Sequence, residues 1–431
     1  MTDPIETFDL LGIGFGPSNL ALAIALQEGA APLKSLFLEA KPRFAWHPGM
    51  LLDTADMQVS FVKDLVTLRN PSSPFTFLSY LHAKGRIERF VNRKTFFPSR
   101  HEFNDYFTWV AAQLPEACAY DQRVTAIRPV IGAERRVEAL EVVSTTAAGA
   151  TTTRRTRDLV LAVGGQPNIP PVFVPFGQDQ CVLHSSAYVT DCKPRLAAGR
   201  APMRIAVVGG GQSGAEIFWD LVNDPSRPLV DFLIRGQALK PSDDSPFVNE
   251  IFDSAFTSEI FNRSAVDRAG FLADYANTNY AVVDGDLIEQ IYGLFYEQEV
   301  TGDPRHRLLR SSRVEAVQAR DKGVSLTLHH RGETLEAQYD LVILATGYTR
   351  RVEDTILSDL APWLLSQEAE RDYQLPTVEG FRPRLFLQGL CEATHGLSDT
   401  LLSVLPLRAE EIATSLRAVQ PSRARVLTAA E

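Results

Sequence analysis

FDLLGIGFGPSNLALAIAL, residues 8–26, runs from a short apolar strand through Gly12, Gly14 and Gly16 into a helical pattern that reaches Gly29. Strand, tight turn and helix in that order let backbone amides and the positive end of a helix approach a pyrophosphate. Pro17 stands where the last glycine of G-x-G-x-x-G is expected, and proline at a helix start loses no needed hydrogen bond. Working outward, SLFLEA at 35–40 is a second strand that ends in Glu39, an acid able to accept hydrogen bonds from a ribose 2'-hydroxyl. The two together point to an adenine dinucleotide.

The pattern recurs. RIAVVGGGQSGAEI, 204–217, gives strand, Gly209-x-Gly211-x-x-Gly214 and helix, and the strand VDFLIRG follows. Arg235 follows Gly209 at nearly the same distance at which Glu39 follows Gly12. An acid there would repel the 2'-phosphate of NADP, whereas a guanidinium pairs with it. The first turn therefore reads as an FAD site and the second as an NADPH site. The fold class expected is α/β, with two Rossmann-like dinucleotide-binding domains and a smaller, mainly helical substrate-binding region.

The chain has 431 residues, more than one hydrophobic core usually spans, so at least two domains are expected. DLVLAVGGQPNIP at 158–170 and DLVILATGY at 340–348, with Thr346 and Gly347, read as crossings between domains, the first stiffened by Pro167, Pro170 and Pro171. The expected division is a discontinuous FAD domain, 1–170 and 340–431, around an NADPH domain, 171–339, that contains the substrate region at 240–300. Ser99 and Glu102 form a capping box before Phe103, Tyr106, Phe107 and Val110, which have core-facing helical spacing. STTAAGATTTRRTR, 144–157, is polar and unpatterned and reads as a loop or hairpin tip.

Composition narrows the function classes. With 45% hydrophobic and 22% charged residues the chain is ordinary globular protein, and a formal charge of −10 disfavours nucleic acid or an anionic membrane as partner. The start lacks a basic segment before its apolar run and no long apolar stretch follows, so a cytoplasmic protein is expected. Cys118, Cys181, Cys192 and Cys391 form no CxxC pair, which disfavours a disulfide framework, a zinc ribbon and a dithiol redox centre. The eight histidines include no metal-site spacing, so no metal is expected.

WHPGMLLDTADMQVSFVKDLVTLRNPSSPFTFLSYL at 46–81, with GIGFGPSNLALA, SPFVNEIF, NTNYAVV, LATGY and HGLSDTLLS, resembles the microbial N-hydroxylating flavin monooxygenases that oxidise the side-chain amine of ornithine, lysine or a diamine for hydroxamate siderophores. The resemblance extends over about residues 8–415. It implies FAD, NADPH and O2, reaction through a flavin C(4a)-hydroperoxide, and a homo-oligomer, often a tetramer. By position it assigns Lys63 to the substrate carboxylate, and Asn249 and Asn279 to the remaining substrate contacts. It assigns Gly12, Gly14, Gly16, Pro17, Ser18, Asn19, Glu39, Trp46, His47, Met57, Gln58, Leu397 and Ser398 to the flavin. Gly209, Gly211, Gln212, Ser213, Gly214, Arg235, Thr346 and Gly347 go to NADPH. No side chain is marked as an obligatory general base.

Taken alone, Lys63 reads as a surface charge, Met57 as core, Asn279 as a turn former, and Ser398 or Asp399 as a helix cap. Ornithine and lysine differ by one methylene, a difference worth only ~1–3 kcal/mol of discrimination. VSFVKDLVTLRNPSSPF and NRKTFFPSRHEFNDY look nearer to the ornithine members, with lysine, putrescine or cadaverine as alternatives. A Baeyer-Villiger-type flavin monooxygenase ranks lower, because FGQDQCVLHSSAY lacks the expected spacing of Gly and His and the following Trp. A nucleotide-sensing protein without catalysis is the remaining class.

Overall fold

Two sheets, the first mixed but parallel around its turn and the second parallel throughout, carry the two glycine turns at the carboxyl ends of their parallel strands. The structure is a computed structural model and describes residues 5–177, 180–199, 202–351 and 356–418. In the first sheet the order is Cys118–Ala119, Ser35–Leu38, Thr7–Ile13, Thr151–Leu161, with Arg384–Leu387 parallel to the last part of Thr151–Leu161. Ile13 pairs with both Leu38 and Leu161, so Gly14 leaves the sheet where several strands end together. Such an edge is where parallel sheets bind ligands. The helices Pro17–Glu28 and Leu405–Arg417 pack on this sheet, and Arg417 donates to Ala25 O at 2.7 Å near the end of the first helix. That cation satisfies a carbonyl the helix leaves open.

STTAAGATTTRRTR is largely strand. Thr151–Leu161 pairs antiparallel with Val137–Thr145 through its first half, and only the residues between those strands form the hairpin tip. Its β-branched threonines suit a half-buried pleated surface, and this outweighs their polarity. The helix Arg100–Ala112 is as expected: Ser99 Oγ accepts from Glu102 N at 3.2 Å, and Phe103, Tyr106, Phe107 and Val110 are buried.

The second sheet runs Arg307–Leu309, Leu229–Leu233, Arg204–Val208, Leu341–Leu344, Val182–His184, all parallel. The boundary expected at 340 is therefore misplaced. Leu341–Leu344 is fully buried and completes the second sheet, and the chain rejoins the first through Arg384–Leu387. A three-stranded meander, Ser312–Ala319, Val324–His330 and Glu333–Tyr339, covers the second sheet with Val324, Leu326 and Leu328 against Leu233 and Val342.

The two connectors meet. Gln166–Pro167 pairs antiparallel with Tyr348–Thr349, and Thr346 and Asn168 exchange hydrogen bonds of 2.5 and 3.1 Å. This ribbon joins the ends of the two similar stretches. Residues 240–300 do not form one region inside the second unit. Gly285–Thr301 packs Ile291 into the second unit's core, whereas Ile251, Ile260 and Phe271 cluster with Leu397 from the far end of the chain. Among the described residues no helix is long and apolar enough to cross a membrane.

Candidate active site

The first turn is shaped for close approach. A Cβ on Gly12 would come within 2.1 Å of the Phe37 ring, and one on Gly14, at φ +82°, within 2.5 Å of Ala162 O. At Gly16 nothing lies within 4 Å, which leaves open space at the start of the helix that Pro17 begins. Asn19 is buried, and its Nδ2 donates to Gly14 O at 2.7 Å, pinning the turn from beneath. The Glu39 carboxylate accepts from Phe15 N at 2.8 Å and Lys41 N at 3.0 Å. Each oxygen retains acceptor capacity for a ribose hydroxyl. A bound dinucleotide with its pyrophosphate at the turn and its ribose at Glu39 fits these residues.

The second turn repeats the design. Gly209, at φ +134°, lies so close to Ala345 O that a Cβ would approach to 2.1 Å, the counterpart of Gly14 on Ala162. Gly214 lets the helix Gln212–Val222 sit against the turn, since a Cβ there would lie 2.1 Å from Gly209 O. A Cβ on Gly211 would touch Ala281 at 3.6 Å, so the 279–284 loop covers this turn. Ser213 is half-buried at the start of the same helix. Arg235 is exposed directly beyond Leu229–Leu233, with no hydrogen bond or ion pair among the described residues. A free guanidinium at that edge fits a 2'-phosphate. Thr346 and Gly347 lie in the ribbon, where Gly347 O accepts from Asn168 N and faces His184 Nε2, each at 2.9 Å. Burial lowers the His184 pKa, and the hydrogen bond to Gly347 opposes that.

Between the turns, Gln58 Nε2 donates to Asp284 Oδ1 at 2.7 Å and Gln212 Nε2 to Asp284 Oδ2 at 2.8 Å. Gln212 Nε2 also donates to Glu216 Oε1 at 2.9 Å, and Arg100 grips Glu216 at 2.9 and 2.7 Å. Burial raises the Glu216 pKa, and the Arg100 charge and the bond from Gln212 oppose this. Two candidates on different units, Gln58 and Gln212, are thus brought together.

Met57 is buried in the first unit's core, and its N donates to Pro98 O at 2.8 Å. Trp46 meets Phe107 edge-on at 5.3 Å, and His47 adopts a left-handed conformation, φ 44°, with its ring 6.1 Å from Tyr348. Lys63 is half-buried with no side-chain partner among the described residues. Asn249 donates to Asp244 O at 2.8 Å, and Asn279 is half-buried with its side chain uncommitted among the described residues. YAVV after Asn279 is not a strand; only Val283 bridges, to Pro241. No hydrogen bond joins Lys63 to either asparagine, so the three remain separate anchor points in this structure.

Ser398 and Asp399 do not cap a long helix. Leu397–Thr400 is one 3-10 turn, and the helix begins only at Leu405. Asp399 instead accepts from Cys391 N at 2.7 Å and pairs with Arg408 at 2.7 Å; Arg408 Nη2 also reaches Ser18 Oγ at 2.9 Å. Gln388 Nε2 donates to Asn19 Oδ1 at 2.8 Å, while its Oε1 is buried without a partner among the described residues. Sequence reading missed Asp284, Arg100, Glu216, Gln388 and Arg408. Only the adjacency of Asp399 to Ser398 offered a signal for any of this network.

Two glycine turns at the carboxyl ends of parallel strands in two sheets, one followed by an acid and one by a free guanidinium, define a protein built for two dinucleotides. The chain belongs to the L-lysine 6-monooxygenase/L-ornithine 5-monooxygenase family, whose profile matches residues 6–350. It is 48% identical over 413 residues to an L-ornithine N(5)-monooxygenase of Pseudomonas aeruginosa, covering 95% of this chain and 93% of that protein. A solved ornithine hydroxylase from the same organism superposes with a TM-score of 0.91 at 47% identity, over 95% of this chain and 98% of that one. An ornithine N-hydroxylase of Kutzneria sp. 744, solved with reduced FAD, NADP+ and L-ornithine, gives 0.88 at 38% identity, over 95% and 99%.

Proposed function

We propose that the protein N-hydroxylates the side-chain amine of L-ornithine with FAD, NADPH and O2. The observation that carries this is the end-to-end likeness to an ornithine N(5)-monooxygenase, 48% identity along 95% of the chain. Bound FAD, reduced by NADPH, supplies the oxygen chemistry.

The chain's own residues bind and orient. Glu39 accepts the ribose hydroxyls of FAD, with Gly12, Gly14, Gly16 and the start of the helix at Pro17 against its pyrophosphate. Gly209, Gly211 and Gly214 do the same for NADPH, and Arg235 pairs with its 2'-phosphate. Lys63 takes the substrate carboxylate, while Asn249 and Asn279 direct the other end toward the cleft that Gln58 borders. A free side-chain amine is protonated at pH 7, with a pKa of about 10, so the pocket must favour its neutral form, and burial does so. The same reading makes the product a hydroxamate siderophore precursor and the enzyme a cytoplasmic homotetramer.

The test is product analysis by mass spectrometry with ornithine, lysine, putrescine and cadaverine offered separately to the FAD-loaded protein. Hydroxylated ornithine as the main product supports the reading. Preference for a diamine would remove the role given to Lys63, and no hydroxylated amine from any of the four would remove the reaction.

A further inference from the structure

Asp284 lies immediately before the helix Gly285–Thr301, yet its side chain makes no capping hydrogen bond to that helix. Its carboxylate is engaged elsewhere, by Gln58 Nε2 on one oxygen and Gln212 Nε2 on the other. The two glutamines come from different nucleotide units, and Gln212 opens the helix at the second glycine turn. The Gln212 amide is fully committed, because its nitrogen serves Asp284 and Glu216 while its oxygen accepts from Asp284 N at 2.9 Å. Reversing that amide would set its oxygen against two carboxylates. Gln58 is exposed and makes no hydrogen bond to a described residue besides Asp284, so the carboxylate alone fixes which end of that amide it holds.

We propose that Asp284 is a positioning residue that locks Gln58 and Gln212 into one geometry and thereby sets the approach of the nicotinamide to the flavin. This rests on the function proposed above, in which a hydride with its electron pair passes from NADPH to FAD, oxidising one and reducing the other. A displacement of about 1 Å in such a pair costs on the order of a hundredfold in rate. Arg100 on Glu216 is a further link between the units, and Gln212 connects that pair to Asp284.

The donor and acceptor roles give a specific test. Asp284→Asn keeps an acceptor for Gln212 but presents an NH2 to Gln58, whose amide, held by no other described residue, turns its oxygen to that NH2 and its nitrogen outward. Adding Gln58→Glu supplies an acceptor for that NH2 while leaving an oxygen facing outward, with the negative charge moved from position 284 to position 58. Three readouts are taken on FAD-loaded parent, Asp284→Asn, Gln58→Glu and the double variant: the melting midpoint, the change in the flavin visible spectrum on adding NADP+, and the anaerobic rate of flavin reduction at saturating NADPH. The expected result is melting within a few degrees of the parent for all four. Asp284→Asn should blunt the spectral change and slow reduction on the order of tenfold or more, with most of both recovered in the double variant. An unchanged rate in Asp284→Asn, or losses that merely add in the double variant, would overturn the proposal. A parent whose FAD is not reduced by NADPH would instead overturn the function on which it rests.

Discussion

Arg100 holds Glu216 in a two-pronged ion pair, 2.9 and 2.7 Å, that joins a helix of the first nucleotide unit to the glycine-turn helix of the second. Both side chains are largely buried, Glu216 almost completely. Arg100→Ala should therefore leave an uncompensated carboxylate inside the junction and cost about 3 kcal/mol, the scale for breaking a buried pair from one side. Denaturant unfolding of the variant checks this. A change below about 0.5 kcal/mol would place the pair among those that contribute little.

Arg235 is exposed and unpaired among the described residues, so its removal should disturb binding and leave folding alone. Arg235→Ala should lower kcat/KM for NADPH by about 10- to 100-fold, the equivalent of about 1.5–3 kcal/mol for a charged hydrogen bond, with NADH little changed. Steady-state kinetics with both cofactors decide it. An equal fall for the two would detach Arg235 from the 2'-phosphate.

Lys63→Ala should raise the KM for ornithine by about 10- to 100-fold on the same scale, while turnover of a diamine, which has no carboxylate, changes little. NADPH oxidation should continue with peroxide as product. Loss of flavin reduction in this variant would show that Lys63 acts on a cofactor site instead.

Asp231 supplies a pH dependence. Burial alone would raise its pKa, but hydrogen bonds from Arg307 and Tyr339 and the charges of Arg307 and Arg204 outweigh it and hold the carboxyl below its ordinary value. With the folded pKa below the unfolded one, this group contributes stability that is present above about pH 4 and is lost as pH falls through the folded value. Both arginines are near 40% exposed, which screens the pairs, so Asp231→Asn should cost about 2 kcal/mol at pH 7. The variant's acid-side stability curve should also be flatter than the parent's. Parallel curves for the two would remove Asp231 from the account.

Both glycine turns were legible in sequence because their spacing answers a steric demand: Gly14 and Gly209 each stand where a backbone carbonyl excludes a Cβ. The positions of Glu39 and Arg235, each just past a strand, could be read because strand ends have a fixed offset from the turn. Leu341–Leu344 was given to the wrong unit because an all-buried apolar strand carries no mark of the sheet it joins. Arg408 on Asp399 and Ser18, and Asp284 on Gln58 and Gln212, are long-range polar contacts made by single residues, and no local periodicity reports them. The strand inside 144–157 was hidden by threonine and arginine composition, although its β-branched residues were the available signal.

The central claim is that NADPH oxidation on this chain is coupled to oxygen transfer onto ornithine. The most direct measurement follows NADPH consumed, hydroxyornithine formed and peroxide released in one reaction of the FAD-loaded protein with L-ornithine in air. The account expects hydroxyornithine to approach the NADPH consumed, with peroxide a minor product. NADPH consumption matched by peroxide, with no hydroxyornithine, would contradict it.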